Sequence, residues 1–184
     1  QWGPRKNIAN TIRYFVDEFK DDDVGLVLKV SVKDGSTIDF YETKKRIKQL
    51  LQQYPDRKCS VRLLHGYMSK EELSSLYTHP QIKAIINFGH GEGYGLPLFE
   101  AASVGLPVIT HEWGGQKDFL YAPKKDKKGK EKIRPHFSKV SFDLKPIQQE
   151  AHWDGVLQPE SEWAYPHWGS CQIAMRQCYE NYHL

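Results

Sequence analysis

The chain has 184 residues and a formal net charge of +3, enough for one domain with a real core, since a domain this size buries roughly 70% of its unfolded surface. So small a charge excess is no nucleic-acid footprint by itself, no signal peptide is evident, and no apolar run nears the roughly 20 residues of a membrane span. The cysteines Cys59, Cys171 and Cys178 have neither metal spacing nor an even disulfide count. Cys171 and Cys178 are seven apart and share a helical face as buried thiols, which fits a reducing, cytoplasmic compartment. The chain has no initiating methionine and begins mid-motif, so it reads as a piece of a longer protein.

Gln1 to Asn7 reads as a turn into a helix that runs to about Lys20, with Ile8, Ile12, Phe15, Val16 and Phe19 on one face. Val24 to Val32 is a nearly continuous apolar run, the pattern of a strand covered on both faces. A helix follows over Thr43–Tyr54 with Ile47, Leu50 and Leu51 inward, then a strand over Cys59–Leu64. After the loop His65–Met68, Ser69 caps a helix, with Glu72 completing a capping box.

Ala84 to Phe88 is a short buried strand, followed by a loop with Gly89, Gly91, Gly93 and Gly95. A helix starts near Pro97 and stops at Gly105, because proline suits a first helical turn and glycine the position past the end. The strand Leu106–Thr110 then leads to a glycine turn at Gly114-Gly115. Strands alternating with helices predict an α/β fold, a Rossmann-like doubly wound parallel sheet, whose ligands sit at the carboxyl edge of the strands.

Past Asp118 the pattern weakens. Pro123–Pro135 is a charge run that reads as an exposed hairpin or mobile loop. It is either solvated or, through Lys124–Arg134, a docking point for an anionic acceptor or membrane surface. Ser138–Leu144 alternates as a half-exposed strand does. Ala151–His167 reads as irregular chain, and a terminal helix covers residues 168–183, with Ile173, Met175, Cys178 and Tyr182 as candidate buried positions.

The glycine loop carries the chemistry. Glycines let a ligand approach bare amides, and the helix start after them offers free N–H groups and a positive dipole end for phosphate. Two carboxylates, Glu92 in the loop and Glu100 in the first helical turn, have seven residues between them. Carboxylates accept hydrogen bonds from vicinal hydroxyls, so the set suits a sugar–phosphate ligand. Taken singly, Glu100 equally suits the dipole of a first turn, and Glu92 a solvated loop. The Gly-x-Gly-x-x-Gly nucleotide fingerprint fails, with Tyr94 and Leu96 where its third glycine belongs.

As a whole the stretch Glu92-Gly93-Tyr94-Gly95-Leu96-Pro97, Glu100-Ala101, Gly105-Leu106-Pro107-Val108-Ile109 and Gly114-Gly115 resembles the donor-binding segment of retaining GT-B glycosyltransferases of the group 1, family 4-like type. The resemblance covers Pro4 to Gly115 well and the last third loosely. It implies that residues 1–184 are the nucleotide-sugar-binding C-terminal domain, with a basic insertion at 122–136 and an N-terminal acceptor domain outside this chain. The donor implied is a UDP- or GDP-sugar.

By the resemblance, Lys6 matches a lysine that grips the donor diphosphate beside an arginine, which would fall just before Gln1, and Arg5 stands next to it. Amides of Gly93, Tyr94, Gly95 and Leu96 meet the diphosphate and sugar, Glu92 the sugar hydroxyls and Glu100 the ribose, while Tyr67 stacks on the base or is a half-buried strand-end residue. Lys6 and Glu92 are the candidate catalytic residues, with an electrostatic role for Lys6. No metal is expected, since the motif stretch has no Asp-x-Asp and no histidine cluster, and no cofactor or nucleic acid is implied. Phe88-Gly89 replaces the family's Pro-Ser. Transfer is expected only together with the missing acceptor half. The alternatives are a non-catalytic sugar-nucleotide-binding module and another GT-B class, an epimerase or phosphorylase. The missing upstream sequence separates them.

Overall fold

A computed structural model describes residues 2–182. In chain order it has a 3-10 turn at Pro4–Lys6, helix α1 (Ile8–Phe19), strand β1 (Gly25–Lys29), α2 (Thr37–Leu51), β2 (Ser60–Leu64), α3 (Lys70–Tyr77) and β3 (Ile85–Asn87). Then come α4 (Leu96–Ser103), β4 (Val108–His111), the short α5 (Lys117–Leu120), β5 (Tyr121–Lys125), β6 (Glu131–Pro135), β7 (Ser138–Val140), β8 (Phe142–Pro146), β9 (Glu162–Pro166) and α6 (Trp168–Asn181). The fold is mixed α/β, and no described helix is long and apolar enough to cross a membrane. The expected starts and ends at Gln1 and residue 183 lie outside the described residues.

The chain divides into two compact units. The first holds residues up to Met68, Phe88–His90 and Lys145–Trp163. Its α1 is amphipathic because Thr11, Ile12, Phe15, Val16 and Phe19 recur at helical spacing and are all buried. β1 pairs in parallel with β2, Gly25 opposite Ser60 through Lys29 opposite Leu64. The expectation of a strand covered on both faces is corrected here. Leu26 and Leu28 are buried, but Gly25, Val27 and Lys29 alternate with them and are exposed. In this two-stranded ladder one face buries its leucines and the other stays wet.

α2 begins at Thr37, earlier than expected, because Ser36 caps it by accepting the Asp39 N–H. Asp39 staples the preceding loop to this helix start. Its carboxylate accepts from the N–H groups of Val32, Lys33, Asp34 and Gly35 at 2.8, 3.1, 2.9 and 2.7 Å, and from the Thr43 hydroxyl at 3.2 Å. Burial acts to raise its pKa, but the Gly35, Lys33 and Val32 N–H groups and the Thr43 hydroxyl outweigh that and hold the carboxyl well below its usual range.

The second unit holds Ser69–Asn87, Gly91–Leu144 and the chain from Ala164. β3, β4 and β7 form a parallel sheet with β4 in the middle, Ile85 opposite Val108 and Ile109 opposite Ser138. β4 is buried at all four positions. α4 crosses from β3 to β4 and buries Leu98 against Val108 and Leu120, with Ile85, Ala102, Phe119 and Phe137 around them. Burying a leucine side chain stabilises by about 1.5–3 kcal/mol. The Ser69–Glu72 capping box is present in full. Strand–helix–strand alternation with parallel pairing is thus found as a two-stranded and a three-stranded ladder, in place of one continuous doubly wound sheet.

Three details of the last third differ from expectation. The single strand expected over Ser138–Leu144 is two, β7 and β8, broken at Ser141, whose N–H donates to the Ser170 hydroxyl at 2.9 Å. The stretch expected to be irregular contains β9, which pairs with β8. In α6 the buried residues are Cys171, Ala174 and Met175. Cys178 is half-buried, not buried. Ile173 is 60% exposed because it lies off the face of 171, 174 and 175, and Tyr182 is 37% exposed because it stands past the end of the helix at Asn181. Burial pushes the Cys171 thiol up to about 12, leaving it unreactive.

Candidate functional site

β3 and β4 end side by side, and a glycine loop follows each. Asn87, the last residue of β3, donates from Nδ2 to Glu92 Oε1 at 3.1 Å and accepts the Thr110 hydroxyl on its carbonyl at 2.9 Å. The Glu92 carboxylate is therefore aimed by a strand-end side chain. Its carbonyl accepts the Gly115 N–H at 3.0 Å. A Cβ on Gly115 would sit 1.9 Å from the Gly93 carbonyl oxygen, and one on Gly114 2.7 Å from the Glu92 oxygen. Gly114 also has φ +116°, which L side chains rarely adopt. A Cβ on Gly91 would meet the Trp113 ring at 2.4 Å. The two loops interlock backbone to backbone, and that contact requires the Gly-Gly pair.

Gly95 turns the chain into α4 with φ +84°. The Leu98 and Phe99 N–H groups both donate to the Gly95 carbonyl, at 2.9 and 3.0 Å. Pro97 has no N–H. Among the described residues the amides of Gly93, Tyr94, Gly95 and Leu96 have no acceptor. Four donors in succession at the positive end of a helix suit an anion. Gly93, Tyr94 and Leu96 are exposed, whereas Gly95 is buried at the turn into the helix. The Tyr94 ring lies over Phe119 and Phe99, with centroids 5.2 and 5.6 Å away. Beneath the loop Gln116 is buried, donating to the carbonyls of His111 and Trp113 at 3.1 and 2.9 Å.

Glu100 stands one residue beyond the first turn of α4, since the helix opens at Leu96; this corrects its expected place at the dipole. It hydrogen-bonds Tyr77 at the end of α3, and the Tyr77 pKa is raised, by burial first and by the Glu100 charge next. At the end of β4, Glu112 is bonded to Lys139 and to the Tyr121 hydroxyl, and these, the lysine first, hold its carboxyl below its usual range. Asn87, Tyr77, Gln116 and Glu112 were not singled out from the sequence. Only Asn87, a polar residue closing an apolar strand, leaves a local signal.

Arg5, Lys6 and Tyr67 belong to the first unit, whereas Glu92, Gly93, Tyr94, Gly95, Leu96 and Glu100 belong to the second. Arg5 and Lys6 lie in the 3-10 turn, closed by Asn7 in the left-handed region at φ +52°. Buried Asn7 donates from Nδ2 to the Phe88 carbonyl at 2.9 Å, and the His90 N–H donates to the Arg5 carbonyl at 2.7 Å. Phe88 is buried beside Tyr14, and the buried His90 ring stacks on Trp163 at 5.0 Å and 13°. Phe88-Gly89-His90 thus anchors the cationic turn, which accounts for an apolar residue where the resembling family has Pro-Ser. Tyr67 follows Gly66 and is 91% exposed, a free ring in place of a half-buried one.

A surface hollow lined by Gly105, Pro107, Ser138, Gln177 and Asn181 lies at the amino edge of β4 and β7, away from the glycine loops. Parallel sheets bind ligands at the other edge. Among the described residues no three His, Cys, Asp or Glu side chains are grouped to hold a metal ion. No family model matches the chain, and no curated protein or solved structure matches it either.

Proposed function

We propose that this chain is the donor-binding domain of a retaining glycosyltransferase, the Rossmann-like C-terminal half of a GT-B enzyme, and that it binds a UDP- or GDP-sugar. The observation that carries the reading is the interlocked pair of glycine loops at the carboxyl ends of β3 and β4, with four amides lacking an acceptor and the Glu92 carboxylate aimed by Asn87. Amides bind phosphoryl oxygens and carboxylates bind sugar hydroxyls, so this surface takes both halves of a nucleotide sugar.

Each residue then has a role. The Gly93–Leu96 amides and the α4 start neutralise the diphosphate. Glu92 accepts from donor-sugar hydroxyls, and Glu100, steadied by Tyr77, from the ribose. The acceptor is held by the other half of a GT-B enzyme. Positive charge comes from amides, so no metal is required.

The test is a titration of the chain with UDP and with GDP in chelator, followed by amide chemical shifts. The expected result is saturable shifts centred on Gly93, Tyr94, Gly95 and Leu96, unchanged on adding Mg²⁺. Shifts confined elsewhere, or a strict need for a divalent ion, would overturn the assignment.

A further inference from the structure

The hairpin of β5 and β6 carries a charge that the proposed donor site does not use. Residues 123–136 are exposed without exception, so both faces of this ribbon meet solvent. Seven cations lie in it, Lys124, Lys125, Lys127, Lys128, Lys130, Lys132 and Arg134, against Asp126 and Glu131, a local net of +5. The whole chain is +3, so the rest sums to −2. The positive charge of the molecule is concentrated in one ribbon.

The ribbon is ordered by its tip. Asp126 accepts the N–H groups of Lys128 and Lys130 at 2.9 and 3.0 Å, and Gly129 takes φ +78°. The antiparallel register then sets Lys124 directly opposite Lys132, and Ala122 opposite Arg134 on the same face. Like charges placed opposite each other destabilise a ladder. Among the described residues no hairpin cation has a carboxylate within ion-pair distance, not even Lys125 opposite Glu131. Folding thus assembles a repulsive face that an outside anion would relieve.

We propose that this ribbon docks the protein on an anionic phospholipid surface. A cluster of four to eight basic residues is the size that binds acidic headgroups. A ribbon exposed on both faces can lie against a plane of headgroups. Residues 122–136 include no Phe, Tyr or Trp, so the ribbon lacks the aromatic platforms on which single-stranded nucleic-acid binders stack bases.

The test is co-sedimentation of the chain with vesicles of phosphatidylcholine alone and of phosphatidylcholine mixed with phosphatidylserine. Binding is expected to the mixed vesicles only, and to be lost in high salt. Lys132→Glu should weaken it about tenfold or more. That change puts an opposite charge across from Lys124, which favours the hairpin, so lost binding cannot be ascribed to misfolding. Equal binding to both vesicles, no binding, or indifference to Lys132→Glu would overturn the proposal. So would tighter binding to random duplex DNA than to the mixed vesicles. UDP and GDP binding should be unchanged in Lys132→Glu, so a failure of the donor reading shows separately.

Discussion

A methyl group at position 115 would sit 1.9 Å from the Gly93 carbonyl oxygen, whereas one at position 93 would meet nothing within 4 Å. Neither glycine has a positive φ, so space alone separates them. Gly115→Ala must push the Glu92–Gly93 backbone away, and forced overpacking costs about 1–3 kcal/mol. Gly93→Ala should stay within about 0.5 kcal/mol, as exposed substitutions do. Urea unfolding of the two variants checks this, and equal effects would mean that the two loops do not interlock. Gly115→Ala should also weaken nucleotide binding, because the displaced segment carries Glu92 and the amide row.

At the scale of elements, the start of α2 depends on one carboxylate. Asp39 satisfies four successive N–H groups of the loop before the helix, and its pKa is depressed in the fold. A depressed carboxyl stabilises the fold fully above its unfolded value near 3.8, and loses that contribution as pH falls below it toward the folded one. Asp39→Asn should therefore be less stable than wild type at neutral pH, and the gap should narrow below about pH 4. A gap independent of pH, read from denaturant midpoints, would contradict this. Features of this local kind were legible in the sequence. The Ser69–Glu72 box, the Pro97 and Gly105 limits of α4 and the exposed hairpin each depend on residues a few positions apart. What was not legible is contact across the chain. Asn7 meets Phe88 over 81 positions, and nothing in the Phe88-Gly89 dipeptide announces it. Lateral strand pairing leaves no period either, so alternating strands and helices foretold parallel pairs but not their distribution over two ladders.

At the scale of the whole molecule, charge and candidate site are separate. The positive charge is gathered in the +5 ribbon, and the ligand proposed above is assigned to the glycine loops. Of the site, the Glu92–Gly95 loop, Glu100 and the Gly-Gly pair were legible because they lie within one short strand–helix–strand unit. The partners that fix them, Asn87 and Tyr77, were not, because each acts from a neighbouring strand or helix end. The central claim is that the Glu100 carboxylate holds the ribose of a bound nucleotide. A hydrogen bond to a charged group is worth about 1.5–3 kcal/mol. The measurement that tests it most directly is calorimetric titration of UDP and GDP into the wild-type chain and into Glu100→Ala, each checked for unchanged unfolding. The account predicts that at least one of the two nucleotides binds, and that its Kd rises about ten- to a hundredfold in the variant. Equal affinity in the two proteins, or no binding of either nucleotide to the wild type, would contradict it.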